Sequence, residues 1–304
     1  MVRSFLSDAP PPPHRPHVLM GLQFYPRGGS AQVVRSLAHV LPPQGWDATV
    51  VASSVRTGGA SGLSDASIFF SGLDIHPVDC TAALSSPDPL LADPPLHPSY
   101  EDRPDAPDRV FASVDDTTYE HLVNVWAREL QQAGAASATL LHLHHLTPLN
   151  AAVARVAPGV PVVGHLHGTE LLMLEAIASG PPATWQYAAA WADRMRTWAA
   201  ACQILLVPSV SQIARAQALL GLPSERFVHL PDGFDPERFH RREVERQAVW
   251  HRLLVEQPRG WQPGAGPGSV AYSEAEIRAL TRGMAPVLLY VGRFTAAKRL
   301  DLLL

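Results

Sequence analysis

His17-Val18-Leu19-Met20-Gly21-Leu22-Gln23-Phe24, followed by Tyr25-Pro26-Arg27-Gly28-Gly29-Ser30 and then residues 31–41, is the stretch on which the fold turns. The first run is apolar and reads as a buried strand. The last places Val33, Val34, Leu37, Val40 and Leu41 on one helical face, and Pro42-Pro43 stop it. Gly28 and Gly29 fall at the helix N-terminus. Free N–H groups and the helix dipole there favour an anion such as phosphate. The same turn could instead need glycine only for its dihedral angles. It is neither the G-x-G-x-x-G dinucleotide fingerprint nor a P-loop.

Outward from this unit, strand and helix alternate. Residues 48–52 read as a short strand. Residues 56–109, rich in Gly, Ser, Pro and Asp, read as long irregular connections with a possible strand at 67–70. Residues 117–133 read as a helix with a Thr117/Glu120 capping box. Tyr119, Leu122, Val123, Trp126 and Leu130 line its face, and Gly134 ends it. Strands are expected at 138–145, 160–165, 204–207 and 227–230. Helices are expected at 149–156, 171–179, 184–201 and 211–220. Short apolar strands alternating with helices imply an α/β fold: a Rossmann-like parallel sheet with helices on both faces. Ligands of such sheets sit beyond the carboxyl ends of the strands. Gly28-Gly29, His144-His145, His167 and Asp232-Gly233 all fall there.

Past residue 235 the pattern changes. Residues 235–254 read as a charged helix, and 257–268 as a Pro/Gly-rich loop. Residues 273–280 read as a helix capped by Ser273 with Glu276. Residues 287–291 read as the first strand of a second domain. The expected organisation is a Pro-rich disordered tail at 1–16, a Rossmann-like domain at 17–240, a connector at 241–285, and the opening strand and turn of a truncated second domain at 286–304.

Composition bounds the function. The chain has 304 residues, is 46% hydrophobic and carries a net charge of −4 with no basic block, so nucleic acid is not an expected partner. No signal peptide or membrane span is legible, and peripheral membrane contact stays open. Cys80 and Cys202, the only two cysteines, make no disulfide framework, so a cytoplasmic location is expected. Of 24 basic residues, only Lys298 is a lysine. It lies just after Val291-Gly292-Arg293-Phe294, where a compact ammonium suits a phosphate oxygen better than a planar guanidinium. Chance placement is the plainer account of one residue.

Four stretches together resemble the retaining glycosyltransferases of family 4, with their two-Rossmann GT-B fold. Pro26-Arg27-Gly28-Gly29-Ser30-Ala31 is similar to the family's glycine loop. Val162-Val163-Gly164-His165-Leu166-His167-Gly168-Thr169-Glu170 is similar to its strand ending in His-Gly. Leu230-Pro231-Asp232-Gly233-Phe234-Asp235-Pro236-Glu237-Arg238-Phe239 is similar to its Pro-Asn-Gly-Val-Asp segment, with Asp232 in place of the usual Asn. Val291-Gly292-Arg293-Phe294 with Lys298 is similar to its donor-phosphate motif. The family's E-x7-E pair beyond that motif is absent. Glu237 and Glu245 have the spacing but precede Arg293.

The resemblance implies a small-molecule nucleotide sugar as donor, a hydroxyl acceptor, retention of anomeric configuration, and no metal or other cofactor. It implies His167, Arg293 and Lys298 as catalytic, with Arg293 and Lys298 on the diphosphate. Gly28, Gly29, Gly168, Thr169, Glu170, Asp232 and Gly233 are then substrate-binding. Glu170 could instead favour the start of its own helix. Two other readings stand beside this one. The first is a non-catalytic, acceptor-binding half. The second is a metal-dependent hydrolase built on His142, His144, His145, His165 and His167. Against the latter, the sequence shows no third-ligand spacing and puts His145 on the opposite strand face from His142 and His144.

Overall fold

The computed structural model describes residues 15–26, 28–56, 64–102, 109–237, 239–260, 262, 265, 266, 268–282, 290 and 300–302. The chain divides into two compact units, Met1–Asp235 and Pro236–Leu304. The first holds β1 (His17–Leu22), α1 (Gly29–Val40), β2 (Asp47–Ser54), α2 (Asp65–Phe69), β3 (Asp74–Asp79), α3 (Asp116–Gln132), β4 (Leu140–His144), α4 (Pro148–Val156), β5 (Val162–His165), α5 (Thr169–Ala178), α6 (Ala188–Ala201), β6 (Ile204–Val207), α7 (Ser211–Leu220) and β7 (Phe227–His229).

These strands form one seven-stranded sheet in the order β3-β2-β1-β4-β5-β6-β7, with every pairing parallel. Strand alternation sends successive side chains to opposite faces. Val18, Met20 and Leu22 meet Val50, Ala52 and the α1 residues Ala31, Val34 and Ala38 on one face. Leu19, Leu141, Leu143 and Leu205 meet side chains of α3 to α7 on the other. Trp191 is fully buried there, and its indole Nε1–H donates to the Val114 carbonyl at 2.8 Å. The chain leaves β1 leftward and returns on its right side through β4. The loops after these two neighbouring strands therefore diverge and leave a crevice at their carboxyl ends.

The second unit holds α8 (Arg246–His251) and α9 (Glu274–Thr281) among its described residues. The expected Ser273/Glu276 capping box is present at α9, with both reciprocal bonds made.

Several expectations need correction. Residues 67–70 are not a strand. Residues 67–69 belong to α2 and Phe70 is its C-cap, while Ser64 caps the helix start by accepting from the Ser67 N–H; the apolar run Ile68-Phe69-Phe70 is too short for its period to be read. The stretch 56–109 also hides β3, masked by Pro77. β3 is the sheet edge, where a missing N–H costs no ladder bond. The cap of α3 is Asp115, accepting from the Thr118 N–H at 2.7 Å, not Thr117. Residues 235–237 and 239–245 are not helical, and α8 begins only where the Glu245 carboxylate caps the Gln247 and Ala248 N–H groups. The two compact units meet at Asp235 and Pro236. The expected strand at 287–291 and the Pro-rich tail lie outside the described residues, except for Tyr290, Arg15 and Pro16.

Candidate active site

Three adjacent strands deliver the candidate residues to one end of the sheet. After β1, Gly28 takes φ 89, a conformation that demands glycine, and becomes the N-cap of α1. No side chain caps this helix, and a Cβ at Gly28 or Gly29 would meet nothing within 4 Å. The first turn thus has no side-chain cap, and small residues leave its backbone open to close approach, as an anion would require.

After β4, His145 also takes a positive φ of 67, and it is the only non-glycine to do so among the described residues. Histidine is one of the side chains that tolerate this region. The Asn150 side-chain amide donates to the His145 carbonyl at 3.4 Å and to the Thr147 carbonyl at 3.1 Å, which holds the turn.

After β5, Gly168 caps α5 with φ 93. Its neighbour Glu170 is fully buried. One carboxylate oxygen accepts the His167 backbone N–H at 2.8 Å, and the other lies 3.3 Å from His145 Nδ1 and accepts the Thr169 hydroxyl at 3.2 Å. Burial pushes the Glu170 pKa up, but His145 and the backbone N–H groups of Glu170 and His167 outweigh it and hold the carboxyl below its usual value. The Glu170 carboxylate is thus engaged on the His167 N–H, the His145 ring and the Thr169 hydroxyl within the β5–α5 turn.

The histidines gather closely. The register places His144 opposite His165 across β4 and β5. The ring centroids of His142 and His144 are 4.4 Å apart, those of His165 and His167 4.6 Å, and those of His145 and His167 4.4 Å. His144 Nδ1 lies 3.0 Å from His167 Nε2. Burial, reinforced by neighbouring imidazoles, holds His144 and His167 neutral well below their ordinary range. Burial likewise pushes His142 down to about 3 and His165 to about 4.

The expectation that no third histidine completes a metal set is corrected in part: His142, His144 and His165 bring ligand nitrogens within 4.8 Å of one another. The spacing hid this because His165 joins through strand pairing, not sequence. Two nitrogens on one zinc can lie at most about 4.2 Å apart, at roughly 2.1 Å each. The rings of His142 and His165 are also parallel to within 1°, which lays their in-plane lone pairs side by side rather than on one point. Among the described residues, His142, His144 and His165 are the group that could hold a metal ion.

Other predicted residues are not brought to this group. Asp232 and Gly233 are exposed beyond β7, two strands from β5 and so about 10 Å away across the sheet. Arg293 and Lys298 lie outside the described residues. Sequence reasoning missed Phe24 and Tyr100, which pack on the His145 ring, and His97, which packs on Phe24: Phe24 stands edge-on to both His97 and His145 at 4.9 Å, and Tyr100 donates its hydroxyl to the Leu146 carbonyl at 2.6 Å. His97 and Tyr100 come from the irregular segment, where no periodicity announces them.

The model of Glycosyltransferase Family 4 matches residues 27–238. The chain belongs to glycosyltransferase family 4. The matched segment of this family 4 chain begins at the glycine loop and ends in the Asp232-Gly233 segment. Among solved structures, Anabaena HepE in complex with UDP and glucose is 12% identical with a TM-score of 0.45, over 81% of this chain and 52% of its own. Phytolacca americana UGT2 complexed with UDP-2-fluoro-glucose and pterostilbene is 11% identical with a TM-score of 0.42, over 72% and 53%. Acinetobacter baumannii MurG is 13% identical with a TM-score of 0.35, over 72% and 47%. The family 4 chain spans about half the length of each of these. No curated protein matches it. Among the described residues, no helix is long and apolar enough to cross a membrane.

Proposed function

We propose that this chain is the acceptor-side part of a retaining glycosyltransferase that moves a sugar from a nucleoside-diphosphate sugar to an acceptor hydroxyl. The observation that carries the reading is the convergence at the carboxyl ends of β1, β4 and β5. The uncapped, glycine-opened N-terminus of α1 and the hydrogen-bonded His144–His167 pair meet there, inside the family-matching segment. In the reaction the bond from the anomeric carbon to the diphosphate oxygen breaks, and a bond from that carbon to the acceptor oxygen forms. The acceptor proton is released, and the diphosphate leaves with the electron pair. Catalysis then means stabilising developing negative charge. The Gly28 and Gly29 amides supply donors from this side, Arg293 and Lys298 supply cationic ones, and His167 faces the sugar. No metal or other cofactor is assigned, because these groups do the neutralising. Cys80 and Cys202 are buried free thiols, and with no disulfide to form between them a cytoplasmic setting is part of this reading.

The test is release of nucleoside diphosphate from a panel of nucleotide sugars, with and without hydroxyl acceptors, by a protein in which this chain is joined to a complete second domain; the 304-residue chain by itself is expected to be inactive or weakly active. Acceptor-dependent release is expected, and the Lys298→Ala variant should lose about 10²–10³-fold in rate. Undiminished transfer by that variant would remove Lys298 from the mechanism. Binding of the nucleotide sugar without release would favour a binding module.

The gathered imidazoles are the one observation favouring the metal-dependent hydrolase. Metal analysis of the dialysed protein is expected to find far less than one zinc per chain. Stoichiometric zinc, lost in the His142→Leu variant, would reverse that assignment.

A further inference from the structure

The His144–His167 contact joins two imidazoles that burial keeps neutral, so one nitrogen of the pair must donate and the other accept. Two arrangements exist, and they differ in what remains unpaired. The second ring nitrogen of His144, Nε2, is buried and touches no partner among the described residues. If His144 carried its proton there, an N–H would be buried without an acceptor, the rarer and costlier kind of orphan. If the proton sits on Nδ1, it is used in the bond to His167, and only a lone pair is left at Nε2. The second arrangement is preferred.

The consequence passes to His167. Its Nε2 must accept, so its own proton resides on Nδ1. His167 is half-buried, and its Nδ1 makes no hydrogen bond among the described residues and is not among the atoms sealed from solvent. The backbone beneath is fixed independently, by the Glu170 carboxylate on the His167 N–H.

We infer that His144 is a positioning residue that locks His167 in the Nδ1–H tautomer, so that His167 presents a hydrogen-bond donor, not a base, to an oxygen of the bound sugar. The role at the sugar rests on the proposed function; the tautomer does not. A fixed donor suits a hydroxyl or ring oxygen whose electron density rises as the anomeric bond breaks. It is the wrong partner for abstracting the acceptor's proton. That proton must then leave by another route, such as an oxygen of the departing diphosphate.

Long-range proton–nitrogen correlation on the histidine-labelled 304-residue chain reads the tautomer directly, with His167 assigned by loss of its signals in His167→Gln. The expected spectrum shows a protonated, pyrrole-type Nδ1 and an unprotonated, pyridine-type Nε2. In His144→Leu the locked pattern should give way to averaged shifts of mixed tautomers. His144→Asn, whose amide N–H falls where Nδ1 was, should restore the lock, which a merely space-filling role for His144 would not do. A protonated Nε2 on His167 in the unaltered protein overturns the inference, and that result needs no variant to fold. If the tautomer is found as inferred while no nucleotide sugar is turned over by a protein carrying the complete second domain, the lock stands and the glycosyl-transfer reading falls.

Discussion

Acidification from pH 7 to pH 5 should strip the N-terminal unit of about 8 kcal/mol of stability, enough by itself to unfold a domain of ordinary stability. His142, His144, His165 and His167 all have folded-state pKa values depressed below the 6.5 of a free histidine, chiefly by burial. The unfolded chain takes up protons at these positions from pH 6.5 downward, whereas the folded chain does not until about pH 4 for His165 and about pH 3 for His142. In that window the unfolded state binds more protons, so stability falls as pH falls. Each histidine costs about 2 kcal/mol by pH 5, at about 1.4 kcal/mol per pH unit. Below the folded-state values the loss levels off for that residue. Urea unfolding at half-unit pH steps measures the slope, which should approach four protons. His142→Leu should reduce it by one. A free energy flat between pH 7 and pH 5 would mean that these rings are charged or solvated in the folded protein.

Replacing Glu170 by alanine should cost about 3–5 kcal/mol, the usual loss on breaking a buried charged network from one side. The variant leaves the His167 N–H and the His145 ring without their carboxylate. Glu170→Gln retains an oxygen for the His167 N–H and should lose less. The Glu170 contribution has its own pH window. Its folded-state pKa is lowered below 4.5, so the stability it adds is fully present above that value and is lost as pH falls through the folded one. It therefore fails at more acid pH than the histidine effect. Equilibrium unfolding at pH 7.5 isolates it, and a loss under 1 kcal/mol would show the carboxylate to be dispensable.

How far the sequence carried depends on where each signal lies. β6 and α7 match their expected bounds, Ile204–Val207 and Ser211–Leu220, with Gly221 at φ 69 ending the helix. Both are local patterns with a strong terminator, and local physics suffices for them. β3 was illegible because its proline is allowed only by edge position, which is a property of the finished sheet. The glycine turn, His144 and His167 could be placed at strand ends from alternation alone. That His165 stands beside His144 needed the β4–β5 register. Glu170 lies one residue from Thr169 and three from His167, and no spacing rule says that its carboxylate folds back inward.

The central place of β1 bears on how the protein is made. Residues 17–79 supply three neighbouring strands and, through α1 and α2, close one face of the sheet while the ribosome is still at work. The other edge of β1 has to wait for residues 140–144, more than a hundred positions later. Until then Leu19 and Gly21 keep one bare face, on a strand whose free edge could pair with any extended segment. The nascent chain is most exposed to misassociation during that interval, and the candidate-site end of the sheet is among the last parts of the unit to be completed.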